Sequence, residues 1–168
     1  MTEGLHLVVP EEVRWLDPEQ QRAWRAFCVG TTLLFDRLDD ELRAEVGIGM
    51  NEYEVLVRLS EAEDNRMRMS TLADAMCFSR SRITHTIARM QRDGLVERTA
   101  ACDDGRGIIA QLTDRGMSTL VEAAPTHVSG VRAHIVDLAE AGDFAALGRV
   151  MDAVVDQLAA AHPEADLR

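Results

Sequence analysis

Apolar residues recur along this chain at steps of three and four, interrupted once by two short alternating runs. From Asp17 to about Val46, Trp24, Cys28, Thr31, Phe35, Leu38 and Leu42 alternate steps of four and three, which predicts one long helix with a packing seam. Phe27 and Leu34 widen that seam, and Arg22, Arg25, Asp36, Asp39, Asp40 and Glu41 occupy the other face. Asp17-Pro18-Glu19-Gln20 is a strong start, with Asp as N-cap, Pro in the first turn and Gln placed to reach back. Gly47-Ile48-Gly49 breaks the helix, and Gly49 with Glu52 forms a capping box with glycine in the cap place. A second helix follows from Met50 to about Glu63, with Tyr53, Leu56, Val57 and Leu59 inward. Asp64-Asn65 reads as a turn, and Arg66-Met67-Arg68-Met69 alternates like a short strand.

The next stretch, Ser70 to Thr113, holds two short helices and a hairpin. Ser70 is the expected N-cap of the first, with Leu72, Ala73 and Met76 apolar, and Cys77-Phe78 makes the turn. Ser79 caps the second, in which Ile83, Ile87 and Met90 form one buried stripe. Its outward positions are Arg80, Ser81, Arg82, Thr84, His85 and Arg89, a cationic face rich in hydrogen-bond donors, and Gly94 supplies the left-handed stop. Such a helix fits the second helix of a helix-turn-helix, with Arg80, Arg82, His85 and Arg89 as candidates to reach base edges or phosphates and Ser79, Ser81 and Thr84 as candidates to bond phosphates or bases. Leu95–Thr99 and Ile108–Leu112 are β-prone runs around a tip that carries Cys102, Asp104 and, flanked by Gly105 and Gly107, Arg106. Thr113 caps a further helix with Met117, Leu120, Val121, Ala124, Val128, Val131, Ile135 and Leu138 inward, kinked near Val121 by Pro125 and stopped by Gly142. Asp143 caps the last helix, where Phe144, Leu147, Met151, Val154 and Leu158 again step by three and four until Pro163. Residues 1–15 have no clear period and read as a flexible arm anchored by Trp15 and Leu16.

The expected fold is mainly α with a small β-wing: a winged helix-turn-helix, residues 50–112, plus N- and C-terminal dimerisation helices over 17–46 and 114–162, in one domain of 168 residues. The terminal helices carry more apolar seam than one small winged helix can cover, and a symmetric homodimer is the simplest way to bury it. A two-fold dimer of reading helices implies a near-palindromic operator in double-stranded DNA, with half-sites about one turn, roughly 34 Å, apart.

Net charge is −11, which at first opposes nucleic-acid binding. The distribution reverses that: residues 66–106 hold eight arginines against five acids, and the rest of the chain ten against 24. Cationic charge therefore sits on the reading head, and the acidic remainder repels DNA from other faces. All 18 basic residues are arginine. Arginine suits guanine edges and phosphates, but a bias this global reads as compositional.

Ser79-Arg80-Ser81-Arg82-Ile83-Thr84, the Met90-x-x-x-Gly94-Leu95-Val96-x-Arg98 ending, the Asp104-Gly105-Arg106-Gly107 tip and Leu112-Thr113-x-x-Gly116 occur in fixed order. Together they resemble the MarR family of bacterial transcription regulators. The resemblance implies a triangular homodimer with two reading heads, Arg106 inserted into the minor groove, and Asp104 orienting Arg106 or bracing the wing. It also implies a small aromatic or lipophilic effector in a crevice between dimerisation helices and winged helix, for which Phe27, Thr31 and Tyr53 are candidates, with Arg25 as an anion partner. The expected role is a repressor released by that ligand.

Some relatives sense organic peroxides through a cysteine in the first long helix. Cys28 falls about one turn from that position, so it reads as a buried small apolar residue, as does Cys77, while Cys102 is expected to be exposed. Three unclustered cysteines, no apolar run of 18 residues and no basic-then-apolar N-terminus suit a cytoplasmic chain without disulfides or membrane span. No pairing of histidines with cysteines, phosphate loop, nucleophile elbow or carboxylate pair appears, so no metal, cofactor or enzymatic activity is expected. Two alternatives stay open: a cysteine-based oxidant sensor on the same fold, and a helical interaction dimer that no longer binds DNA.

Overall fold

The computed structural model describes residues 13–101 and 107–158. Its elements are α1 (Pro18–Glu45), α2 (Met50–Glu61), β1 (Arg66–Arg68), α3 (Met69–Ala75), α4 (Arg80–Arg92), β2 (Val96–Ala100), β3 (Ile108–Leu112), α5 (Asp114–His134) and α6 (Asp143–Leu158). Single 3-10 turns lie at Glu63–Asn65 and Val136–Leu138. The chain divides into two compact units, Met1–Leu33 and Leu34–Arg168, with the boundary inside α1.

In the first unit, the start of α1 is closed by a reciprocal box. The Asp17 carboxylate accepts the Glu19 and Gln20 N–H groups at 2.9 and 2.8 Å, and Gln20 Oε1 accepts the Asp17 N–H at 3.1 Å. Trp24 stacks on Phe27 with ring centroids 5.9 Å apart. Both rings are exposed, as are Trp15, Leu16, Val29 and Leu33.

The second unit holds the core. Three strands form an antiparallel sheet in the order β1-β3-β2, with Met67 opposite Ala110 and Arg98 opposite Ala110 on the other side. Val55, Leu56, Leu59, Leu72, Ile83, Ile87 and Met90 are fully buried between α2, α3, α4 and the sheet. Burying each such side chain contributes about 1.5–3 kcal/mol before entropy is counted. Both short helices of this core end alike. Phe78 N–H donates to Ala73 O at 2.8 Å and Cys77 N–H to Asp74 O at 3.0 Å, while Leu95 N–H donates to Met90 O at 2.9 Å and Gly94 N–H to Gln91 O at 3.1 Å. These paired bonds need a left-handed residue, filled by Cys77 (φ 50°) in the first case and Gly94 (φ 71°) in the second.

Four sequence expectations are corrected. Ser70 does not cap α3; the helix starts at Met69 after Arg68, so Ser70 lies inside its first turn. Cys77 is exposed, because it takes the left-handed position and the half-buried side chain there is Phe78. Asp143 is the first residue of α6, with Gly142 before it at φ 93°. Finally, α5 ends at His134, and its buried residues are Gly116, Ala123 and Gly130, whereas Val121, Val128 and Leu138 are exposed. Seven-residue spacing of small residues lets neighbouring segments press close: a Cβ at Gly130 would run into Leu38 and Glu41, and one at Gly116 would collide with the Leu95 carbonyl oxygen. Thr113 secures the same joint, accepting the Gly116 N–H at 3.0 Å and donating to Gly94 O at 2.7 Å. Pro125 is accommodated inside α5.

Candidate nucleic-acid interface

Helix α4 is built to show one face. Ser79 Oγ accepts the Arg82 N–H at 3.2 Å and fixes its start, while Ile83, Ile87 and Met90 anchor it from behind. Ser79, Arg80, Ser81, Arg82, Thr84, His85 and Arg89 are all exposed on the outer side. The fold therefore brings together every helix residue that the sequence assigns to the interface. Asp104 and Arg106 at the wing tip lie outside the described residues, as does Cys102.

The arginines are not loose. Arg80 donates to the Ser70 carbonyl and pairs with Asp74 at 3.1 Å, which ties the first turn of α4 to α3. Arg82 lies over Phe78, with Cζ 3.7 Å from the ring centroid, and its Nη2 reaches Asn51 Oδ1 at 3.1 Å. Arg89 pairs with Glu52, whose side chain is only 7% exposed. Arg98, on β2, donates to Gln91 at 2.6 Å. Each guanidinium has five N–H donors, so these contacts orient the arginines and leave donors facing outward. The Thr84 hydroxyl is turned onto its own helix, donating to Arg80 O at 2.7 Å. Ser81 and His85 make no hydrogen bond or ion pair to the described residues, and so present free polar atoms.

A separate cavity of about 610 Å³ lies in the second unit, lined by Tyr53, Glu54, Arg58, Met76, Cys77 and His127 among others. The Tyr53 and His127 rings are 4.5 Å apart, and His127 Nδ1 is buried without a hydrogen-bond partner among the described residues. Burial lowers the His127 pKa and raises that of Tyr53. Burial also raises Glu54, against the opposing pull of Arg58 and Arg82. Of the ligand candidates, Tyr53 lines this cavity, while Arg25, Phe27 and Thr31 belong to the first unit. Thr31 there spends its hydroxyl on Phe27 O at 2.7 Å.

Sequence reasoning missed Asp74, Asn51 and Phe78 as partners of the arginines, and it treated Glu52 only as a cap. It did not single out His127, which lines the cavity. Among the described residues no group of three or more His, Cys, Asp or Glu side chains can hold a metal ion, and no helix is long and apolar enough to cross a membrane.

Comparison with known proteins fits this geometry. Residues 48–108 match the model of the MarR family. The chain is similar to AbsC, a MarR family transcriptional regulator from Streptomyces coelicolor, at 41% identity over 87% of this chain and 98% of that one, with a TM-score of 0.81. It is similar to Sco3205, a MarR family transcriptional regulator from the same organism whose structure is in complex with DNA, at 38% identity over 86% of this chain and 94% of that one, with a TM-score of 0.82. It also resembles the HTH-type transcriptional repressor YetL of Bacillus subtilis (strain 168), at 30% identity; that match spans about half of each chain, 52%. The chain belongs to the MarR family of transcriptional regulators.

Proposed function

We propose that this protein is a homodimeric, sequence-specific DNA-binding repressor, a single MarR-type domain in which α4 reads the major groove. The observation that carries this is the exposed polar face of α4, with Arg80, Arg82 and His85 held over a fully buried stripe. In this reading Arg80 and Arg82 meet phosphates or base edges, and Ser79, Ser81, Thr84 and His85 add hydrogen bonds. Arg106 enters the adjacent minor groove with Asp104 bracing it, as the family resemblance implies. The similarity to a regulator whose structure holds DNA supports the same reading.

A second copy of the chain covers the apolar faces that one copy leaves open. In the second unit Leu158 is 63% exposed, Val150 57% and Leu138 74%; in the first, Trp24 is 57% exposed. Exposed apolar positions in such number mark an interface. The site of action is the cytoplasm, where the operator is.

A small aromatic or lipophilic effector releases the DNA. The cavity beside Tyr53 and His127 is its proposed site, since it offers aromatic walls and an unsatisfied ring nitrogen. Arg25, Phe27 and Thr31 are proposed as ligand contacts separately from that cavity. Bound ligand favours a head spacing that no longer matches the operator. The test is displacement of a labelled operator duplex by a panel of neutral, acidic and basic aromatic compounds, with peroxide as a separate arm. Release by one compound class supports the reading. Release by peroxide alone, abolished in Cys28→Ser, replaces it with the oxidant-sensing alternative.

A further inference from the structure

The N-terminus of α2, behind the reading face, is held by two carboxylates. Glu52, in the first turn, turns one oxygen back to the Gly49 N–H at 3.1 Å. Asp39, from α1 within the second unit, accepts the Met50 N–H at 2.7 Å. Arg43 braces Asp39, with Nε 2.6 Å from one oxygen and Nη2 3.3 Å from the other. A Cβ at Gly49 would run into the Arg43 guanidinium and the Asp39 carboxylate, so a larger residue at the cap would displace that pair. The second oxygen of Glu52 takes Arg89 from α4. One polar knot thus joins α1, α2 and α4.

An exposed arginine on a DNA-reading helix is either a phosphate ligand or a tie. Two features decide for the tie. Arg89 stands in the last turn of α4, whereas reading helices present their N-terminal residues to base edges. Its partner is a buried carboxylate, and moving Arg89 to a phosphate would leave that charge without its counter-ion, a costly state. We propose that Arg89 is a positioning residue: through Glu52 and the Asp39-held start of α2, it fixes the angle of the reading helix against α1, and so the presentation of each head to its half-site. This rests on the reading of α4 as the DNA-reading helix.

The test is fluorescence-anisotropy titration across a salt series with the full-length protein. The probes are a duplex selected by the wild type from a random-sequence pool and a random duplex of equal length. Arg89→Ala and Glu52→Gln are each expected to weaken binding to the selected duplex by roughly tenfold, the scale of one lost base contact. The salt slope and the affinity for random DNA should stay at wild-type values. The double variant should be no worse than either single one, because both break the same tie. Arg89→Lys, which keeps the cation, should restore most of the affinity. A salt slope shallower by about 0.9 per head in Arg89→Ala would overturn the proposal, since it marks a lost phosphate contact. Tighter random-DNA binding by Glu52→Gln would overturn it too, since it marks an arginine set free. Glu52→Gln keeps an oxygen for the Gly49 N–H, so it decides the matter if Arg89→Ala fails to fold. Wild-type binding by Arg80→Ala and Arg82→Ala together would instead remove the reading of α4 on which the proposal stands.

Discussion

Arg82 rests on the ring of Phe78, its guanidinium carbon 3.7 Å from the ring centroid. Phe78 closes the turn before α4, and Arg82 lies in the first turn of that helix, so under the proposed reading of α4 the contact aims a cation from the helix end that would enter the groove. Arg82→Ala is expected to make the salt dependence of DNA binding shallower by about 0.9 per head, or roughly two per dimer. Anisotropy titrations over a salt series check this; an unchanged slope would mean that Arg82 only packs on Phe78.

Gly116 sits where α5 presses on the backbone of Leu95, at the joint between α4, the sheet and α5. Gly116→Ala forces a methyl group against a carbonyl oxygen that cannot move without disturbing Thr113. The expected loss is about 2 kcal/mol, within the range of overpacked sites. Urea unfolding followed by circular dichroism measures it, and a wild-type midpoint would contradict the close approach.

These two joints differ in how far the sequence announced them. Ser79, Gly94 and Thr113 act on backbone groups within a few residues, so cap and stop chemistry made them legible, and so did the stripe of Ile83, Ile87 and Met90. On α5, Met117 and Leu120 pack against the core as expected, but Val121 and Val128 were misread, because periodicity counts apolar side chains. The fold there selects small residues for close packing, which leaves Val121 and Val128 outward. The tie between Glu52 and Arg89 spans 37 positions, and no local pattern encodes a pairing at that separation. The α4 candidates could be named together because they share one exposed helix face; their partners in α2 and α3 could not, because those come from other elements.

His127 yields a pH dependence. Burial lowers its pKa, so the folded chain holds it neutral. The unfolded chain protonates it near the ordinary value of about 6.5. The stability this group contributes is therefore complete above about pH 6.5, declines as pH falls below it, and is gone once pH passes below the lowered folded value. Thermal melts from neutral to mildly acidic pH should show wild type losing stability faster than His127→Phe. Parallel curves would contradict the assignment.

Val154 is an exposed apolar residue on α6, a helix with no buried residue in the single chain. Val154→Glu is expected to convert a dimer to a folded monomer in sedimentation experiments, and to weaken DNA binding by much more than one lost contact, since two linked heads bind far more tightly than one. A monomer of full DNA affinity would contradict the dimeric reading.

In the proposed assembly, α4 and its counterpart in a second copy read two half-sites in DNA. The most direct measurement is selection of bound duplexes from a random-sequence pool, followed by salt-titrated affinity for the recovered sequence and for random DNA. The recovered sequence should be a near-palindrome with half-site centres about one helical turn, roughly 34 Å, apart. Binding to it should be steeply salt-dependent and at least ~10³-fold tighter than to random DNA. No enriched sequence, with affinity equal to that for random duplexes, would contradict the proposed assembly and move the protein-contact dimer to the front.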